Sequence, residues 1–290
     1  MNTIAIIMTC HNRKNKTLNC LDALFRQKYI KNNNIKVYLV DDGSTDGTGE
    51  AIKNSFPEVI ILQGSGNLFW NGGMRLAFKK AMKKNYDYYL WLNDDTLLYE
   101  DSLDRLLKTH YKLSEKYTKK TIIVGSTCDP ATGILTYGGA IHCSRWHPLK
   151  FRLIKPSDIP LEIDAMNGNC VLISSEVVRI VGNIDKAFSH SIGDYDYALR
   201  AKSLSCSVWL APGYVGTCER NKVNLFTMNV NIKEKLKRIN QPKGLPFIEW
   251  KVFAKRHAGI LWPFYCIMPY MKLILPEIII KFNKNNLTKL

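Results

Sequence analysis

Two adjacent carboxylates, Asp94 and Asp95, follow Asn93 at the end of the apolar segment YYLWL, residues 88–92. Carboxylates side by side at the end of a buried strand repel each other unless a cation or a basic side chain lies nearby. Their oxygen atoms suit Mg²⁺ or Mn²⁺, which proteins hold with one or two carboxylates plus the phosphates of a substrate. The pair therefore favours a metal site for a diphosphate ligand. A cap for the following helix is the alternative, and the two roles are compatible.

A second pair of carboxylates, Asp194 and Asp196, precedes the helical pattern ALRAK at residues 198–202. Carboxylates near the start of a helix are stabilised by the helix dipole, which accounts for both residues without any chemistry. A carboxylate that faces a pocket can instead act as a general base, because it accepts a proton from a hydroxyl group as that group attacks. Both interpretations stay open at this point.

Polar residues also follow the other predicted strands, at 9–12 (TCHN) and 41–48 (DDGSTDGT). In parallel α/β sheets ligands bind beyond the carboxyl ends of strands, although Asp, Ser and Gly are also ordinary turn and cap residues. Gly64 and Gly66 lack the third glycine of a dinucleotide fingerprint, so a Rossmann dehydrogenase is not favoured. Arg75, on the first turn of a predicted helix, suits a nucleotide or anionic ligand, and a solvated surface arginine is the alternative.

The elements that must position these residues alternate regularly in the first half of the chain. Apolar, β-rich runs predict strands at 3–9, 36–40, 58–62, 88–92, 121–126 and 167–174. Helical periodicity predicts helices at 18–25, 71–84 and 102–117. This alternation indicates an α/β fold with a mainly parallel sheet flanked by helices. Residues 136–151 break the pattern and predict a long loop that contributes substrate contacts.

Positive charge is concentrated in the C-terminal part of the chain. The 290 residues carry a net charge of +16, and residues 220–290 hold fourteen Lys or Arg against three Glu. The apolar run at 258–280 is interrupted by prolines at 263, 269 and 276, each of which removes a helix hydrogen bond. A basic segment leading into an apolar one favours an anionic membrane surface over nucleic acid, with a helix packed on the catalytic domain as the alternative. Eight cysteines without a CxxC pair, and an N-terminus without a signal peptide, predict a reduced, cytoplasmic protein.

Five motifs occur in a fixed order between residues 9 and 202. They are T-x-x-N-R, VDDGSTDGT, GNLFWNGGMRLAF, LNDDT and GDYDYALRAK. With these motifs the chain resembles family 2 of the inverting glycosyltransferases. The resemblance implies the GT-A fold, a nucleotide-binding sheet flanked by helices, here with a basic, helical C-terminal extension.

The resemblance also implies roles for individual residues. The residues expected to contact the donor nucleotide-sugar are Thr9, Asn12, Asp41, Asp42, Arg75 and Asp94. Asp95 and Asn93 take the place of the metal-binding motif for Mn²⁺ or Mg²⁺, and Asp194 matches the catalytic base. The chain departs from the family pattern at three places: Asn93 replaces an acidic residue, Gly193 stands where many relatives are acidic, and Cys218 with Glu219 occupies the neighbourhood of a metal-binding histidine.

The function implied by the resemblance is transfer of a sugar, with inversion, from a UDP- or dTDP-sugar to a hydroxyl group of a saccharide. Rhamnose is one candidate sugar, and the expected acceptor is a lipid-diphosphate-linked saccharide of capsule or O-antigen synthesis at the inner face of the plasma membrane. The alternatives are a nucleotidyltransferase and a catalytically inactive relative that only binds nucleotide-sugars. The expected organisation is a catalytic domain at 1–220, divided at residue 126 into a donor part and an acceptor and base part, followed by a membrane-associating tail at 221–290.

Overall fold

The computed structural model describes residues 2–28, 34–220 and 232–274. The chain divides into two compact units. The first unit comprises residues 1–143 and 151–220, and the second comprises residues 144–150 and 221–290.

The first unit contains thirteen strands and six helices among its described residues. The strands are β1 (Thr3–Cys10), β2 (Asn34–Asp41), β3 (Ile60–Gln63), β4 (Tyr88–Leu92), β5 (Leu97–Leu98), β6 (Thr121–Cys128), β7 (Leu135–Tyr137), β8 (Gly139–His142), β9 (Phe151–Leu153), β10 (Leu161–Glu162), β11 (Ala165–Met166), β12 (Cys170–Ser174) and β13 (Ser207–Thr217). The helices are α1 (Lys14–Phe25), α2 (Thr48–Ser55), α3 (Phe69–Ala81), α4 (Ser102–Lys116), α5 (Ser175–Val181) and α6 (Gly193–Ser203).

A ten-stranded sheet forms the centre of this unit. Eight strands follow the order β10, β13, β6, β12, β4, β1, β2, β3, while β5 pairs with β13 and β7 pairs with β6. Strands β4, β1, β2 and β3 are parallel neighbours, and β13 is parallel to β6. Strand β12 lies antiparallel between β4 and β6. The half of the sheet formed by β4, β1, β2 and β3 is thus entirely parallel. This confirms the predicted α/β architecture and is consistent with a GT-A fold.

Continuous apolar runs form the central strands because both faces of the sheet are covered. All five residues of β4 are buried, and so are the last seven residues of β1. Helix α3 covers one face with Met74, Ala77 and Phe78, each fully buried. The helical periodicity of residues 71–84 therefore predicted the buried side of α3 correctly.

The prediction of one long loop at 136–151 was wrong in part. Residues 139–142 form β8, which pairs with β9 and β11 in a separate three-stranded antiparallel sheet, and β7 joins the edge of β6. Strands of two to four residues are too short to show a clear alternation of apolar and polar side chains. Only their partners in the folded chain establish them as strands.

The second unit is helical in its described residues. It contains α7 (Ile232–Ile239), α8 (Phe247–His257), a 3₁₀ turn (Gly259–Leu261) and α9 (Trp262–Ile274). The indole nitrogen of Trp250 on α8 donates a hydrogen bond to the carbonyl of Tyr265 on α9 at 3.2 Å. None of the helices within the described ranges is both long and apolar enough to cross a membrane. The predicted interruption at Pro276 lies outside the described residues.

Candidate active site

The carboxyl ends of β1, β2 and β4 bring the polar motifs to one edge of the sheet. Cys10 and Asp41 are paired in register at the ends of β1 and β2, and the Asp42 amide donates to the Cys10 carbonyl at 2.9 Å. Strand β4 is in register with β1 on its other side and ends directly before Asn93. Parallel register thus brings together motifs that are more than eighty residues apart in the sequence.

Arg13 forms ion pairs with both carboxylates of the Asp94–Asp95 motif. Its Nη1 atom lies 3.2 Å from Asp94 Oδ1 and 2.7 Å from Asp95 Oδ2. Burial raises the pKa of Asp94 to about 7, although the guanidinium of Arg13 opposes that rise. The positive charge that two neighbouring carboxylates require is therefore supplied, in this structure, by an arginine.

The surroundings of Asp95 are poor in further hard ligands. Cys218 Sγ lies 3.5 Å from Asp95 Oδ1, and burial next to that carboxylate raises the thiol pKa to about 12, so the group stays a neutral donor. Glu219 is exposed and pairs with Lys16 at 3.1 Å. No cluster of three His, Cys, Asp or Glu suited to a metal occurs among the described residues. Two carboxylates still fit a divalent ion of the kind that is held mainly by substrate phosphates and water.

Trp70 links the donor motif to the predicted base. Its indole nitrogen donates to Asn93 Oδ1 at 2.6 Å, so this amide oxygen, a predicted metal ligand, is engaged by Trp70. The ring of Trp70 lies against Gly168, where a Cβ atom would come within 2.3 Å of it. The Gly168 amide in turn donates to Asp194 Oδ2 at 2.9 Å. A short chain of contacts therefore connects the end of β4 with Asp194.

Asp194 lies in the first turn of α6 and remains partly exposed to solvent. Its carboxylate accepts backbone hydrogen bonds from Gly168 and Tyr195, both at 2.9 Å, which favour the ionised form. Desolvation is the stronger effect and raises the pKa of Asp194 to about 6. A carboxylate with such a pKa is ionised at neutral pH and is more basic than an ordinary one, as a general base requires.

Asp196, the second carboxylate of the motif, is fully buried and structural. Its Oδ2 atom accepts from Arg200 Nε at 2.8 Å, one helical turn further along α6. The same guanidinium donates to the carbonyls of Val181 and Asn183, which anchors α6 to the end of α5. The two carboxylates, of which the family resemblance singled out Asp194 as the base, therefore also differ in their surroundings.

Two of the expected donor contacts hold loops together. The carboxylate of Asp42 accepts backbone hydrogen bonds from Gly66, Leu68 and Phe69 at 2.8 to 3.1 Å, which fixes the loop before α3. Asn12 has a φ of 50° and accepts from the Thr45 amide at 2.7 Å, which ties the loop after β1 to the loop after β2. The structure gives both side chains a supporting position at the edge of the site.

The remaining expected nucleotide contacts lie at the same edge of the sheet. Asp41 is buried at the end of β2, and its Oδ1 atom accepts from the Ser44 amide at 2.9 Å. Thr9 packs directly against Gly73 on α3, where any Cβ atom would collide with the threonine hydroxyl. Arg75 has a buried Nη1 atom with no hydrogen-bond partner among the described residues. A buried, unpaired guanidinium nitrogen is costly without a ligand, which agrees with its expected contact to the donor.

Three residues of this site received no role from the sequence: Arg13, Trp70 and Asn71. The first belongs to the T-x-x-N-R motif and the other two to FWNGG, so their positions within the motifs were the available signal. Asn71 is fully buried, and its amide oxygen occupies the space that a Cβ atom on Gly193 would need. Gly193 is thus explained by close packing against Asn71.

The fold and the strand-end carboxylates define an α/β protein with a polar site at the carboxyl edge of its parallel strands. Residues 5–136 match the sequence model described as Glycosyl transferase family 2. The chain is also 25% identical over 219 residues to an uncharacterized glycosyltransferase of Rickettsia typhi, a match that covers 70% of this chain and 59% of the relative's length. Residues 5–136 form a glycosyltransferase family 2 domain.

Proposed function

We propose that the protein is an inverting glycosyltransferase that uses a UDP- or dTDP-sugar. The observation that carries this proposal is the connection from Asp94 and Asp95, through Asn93, Trp70 and Gly168, to Asp194. These contacts connect Asp194, whose pKa is raised to about 6, with a pair of carboxylates suited to the divalent ion of a bound diphosphate. Both groups are needed for a single displacement at the anomeric carbon.

In the proposed reaction Asp194 accepts the proton of the acceptor hydroxyl group. The hydroxyl oxygen forms the new bond to the anomeric carbon from the face opposite the leaving group, and the bond to the nucleoside diphosphate breaks with inversion. Asp95 would hold a divalent ion together with the donor diphosphate, and that ion, when bound, supplies positive charge to the leaving group. The two backbone hydrogen bonds to Asp194 fix the orientation of its carboxylate, which positions it to receive the acceptor's proton in the proposed reaction.

Nucleotide binding tests the donor site. We expect UDP or dTDP, and not GDP or CMP, to raise the melting temperature of the protein in the presence of Mn²⁺, because a ligand that binds only the folded state stabilises it by about 2.7 kcal/mol at a hundred times its Kd. Asp95→Ala should abolish the metal-dependent part of this shift. A wild-type protein that none of the four nucleotides stabilises would contradict the proposal. Release of pyrophosphate during turnover would instead favour a nucleotidyltransferase.

We further propose that the C-terminal unit binds the anionic inner face of the plasma membrane, where a lipid-diphosphate-linked saccharide would be the acceptor. Ile260, Phe264, Ile267 and Met271 form an exposed apolar stripe along the 3₁₀ turn and α9. Residues 232–274 contain nine Lys or Arg against two Glu. An apolar stripe within a strongly basic segment matches an anionic lipid surface better than a neutral protein partner. Synthesis of capsule or O-antigen is the process that this location fits.

Vesicle sedimentation tests the membrane surface. Wild-type protein should sediment with vesicles that contain anionic phosphatidylglycerol and much less with neutral phosphatidylcholine, and the double variant Ile260→Ser, Phe264→Ser should lose most of that binding. Ile134→Ser removes an exposed isoleucine of the first unit and serves as the matched control. Equal binding of the double variant and the wild type would refute the role of the stripe. Deletion of 258–290 should release the protein from membranes in cells.

A further inference from the structure

The ion pairs of Arg13 place a fixed positive charge at the two carboxylates of the proposed donor site. A single nitrogen, Nη1, lies within 3.2 Å of both Asp94 and Asp95. The two carboxylate side chains are 9% and 12% exposed, whereas the side chain of Arg13 is 37% exposed. The two carboxylates are therefore largely shielded from solvent, and Arg13 is the more exposed partner of both ion pairs.

A divalent ion and this guanidinium would compete for the same oxygen atoms. Asp95 Oδ2 is bound to Arg13, and Asp95 Oδ1 is the acceptor of the Cys218 thiol. An ion that approached Asp95 with Arg13 in place would meet a like charge a few ångströms away. Little else near Asp95 would compensate, because the Cys218 thiol is neutral and Glu219 is engaged by Lys16.

Resting on the proposed function, we propose that Arg13 is the resident cation of the donor site, which Mn²⁺ or Mg²⁺ must displace, and that the released guanidinium then binds the donor's diphosphate. The planar fork of an arginine suits a phosphate as well as a carboxylate, so the side chain has a partner in both states. Arg13 thus makes binding of the metal depend on binding of the nucleoside diphosphate. Metal alone has to break two ion pairs without any replacement for them.

The local structure allows this movement without a change in the fold. The Arg13 carbonyl accepts hydrogen bonds from the amide and hydroxyl of Thr17, at 2.9 and 3.0 Å, which fixes the backbone at the start of α1. Only the long side chain needs to rotate. Rotation of a partly exposed side chain is fast compared with typical enzyme turnover.

Manganese binding without nucleotide provides the first test. Electron paramagnetic resonance measures free Mn²⁺ in solutions of the wild type, of Arg13→Gln and of Arg26→Gln, and no activity is needed. Arg26 forms an exposed ion pair with Asp22 on the same helix and is the matched control. We expect Arg13→Gln to bind Mn²⁺ about tenfold more tightly than the wild type, since one unit charge near the ion is removed, and Arg26→Gln to behave as the wild type. An Mn²⁺ affinity of Arg13→Gln equal to or weaker than the wild type would overturn the proposal.

Nucleotide binding provides the second test and separates this proposal from the proposed function. Calorimetry with UDP and dTDP at saturating Mn²⁺ should show that Arg13→Gln loses about tenfold in affinity for the nucleotide, because the charge-assisted phosphate contact of the released guanidinium is lost. Mn²⁺ should strengthen nucleotide binding more in the wild type than in the variant. If neither nucleotide binds the wild type, the proposed function fails, while tighter Mn²⁺ binding by Arg13→Gln still supports displacement. Unchanged nucleotide affinity in the variant would refute the diphosphate contact, and circular dichroism verifies that each variant is folded.

Discussion

Replacement of Asp194 by asparagine should separate catalysis from folding. The amide cannot accept the proton of the acceptor hydroxyl, and loss of a general base typically slows a reaction by about 10² to 10⁴, or roughly 3 to 5 kcal/mol of activation free energy. Donor binding should change little, because the Asp194 carboxylate is hydrogen-bonded to the amides of Gly168 and Tyr195 and not to a predicted nucleotide-binding residue within the described part of the chain. The transfer rate, followed as release of nucleoside diphosphate in the presence of membrane acceptor, measures the first effect.

The stability of the same variant follows from the pKa of Asp194. Because folding raises this pKa from 3.8 to about 6, the folded protein binds the proton more tightly than the unfolded chain. The free energy of unfolding therefore falls as the pH rises through 4 to 6, by about 3 kcal/mol in total. An uncharged asparagine avoids this loss, so at pH 7.5 Asp194→Asn should be at least as stable as the wild type.

Asp196→Asn is the matched control, two residues further along α6. It removes the buried charge that pairs with the partly exposed Arg200, and breaking a buried ion pair costs about 3 to 5 kcal/mol. The melting temperature should thus fall for Asp196→Asn and not for Asp194→Asn.

In the wild type kcat/KM should rise with pH to a plateau above about 6, since the base acts when it is ionised. Normal turnover by Asp194→Asn would refute the assignment of the base.

Two further variants test the framework of the site. Trp70→Phe keeps a ring near Gly168 but removes the hydrogen bond to Asn93, and we expect a loss of about 1 kcal/mol in unfolding free energy together with a lower kcat, measured by urea denaturation and by steady-state kinetics. Unchanged kcat would show that the link from β4 to Asp194 has no catalytic importance. Asp42→Ala removes an acceptor shared by three backbone amides and should lower the free energy of unfolding by about 2 kcal/mol or more. A melting temperature equal to that of the wild type would contradict its supporting role.

The arrangement of the site explains why several family motifs are needed in one chain. Asn12 and Asp42 tie neighbouring loops together, Trp70 joins two of the motifs, and Asp194 is oriented through a backbone amide of Gly168. Most of these contacts hold other residues of the site in position rather than facing a substrate directly. The motifs are thus the segments whose loops meet at one edge of the sheet and support each other there.

The sequence by itself determined the architecture of the donor half. Short continuous apolar runs bounded by turn residues favour strands buried on both faces, and the helical spacing of Met74, Ala77 and Phe78 defined the buried side of α3. The sequence also identified the candidate donor-site carboxylates, since residues at the ends of parallel strands meet at one edge of the sheet. Local periodicity is sufficient to predict the type of an element and its buried face wherever the element is long and is buried on one side or on both.

Only the tertiary structure decided which of those candidates are structural. The local residue pattern does not distinguish Asp194 from Asp196, and only the family resemblance singled out Asp194. In the structure Asp196 pairs with Arg200 of the same helix, whereas Asp194 is bound by the amide of Gly168, which comes from a segment packed against α6. The pairing of Arg13 with the strand-end carboxylates joins residues more than eighty positions apart in the sequence. Desolvation and ion pairing depend on distances between such segments, which no local pattern of residues encodes.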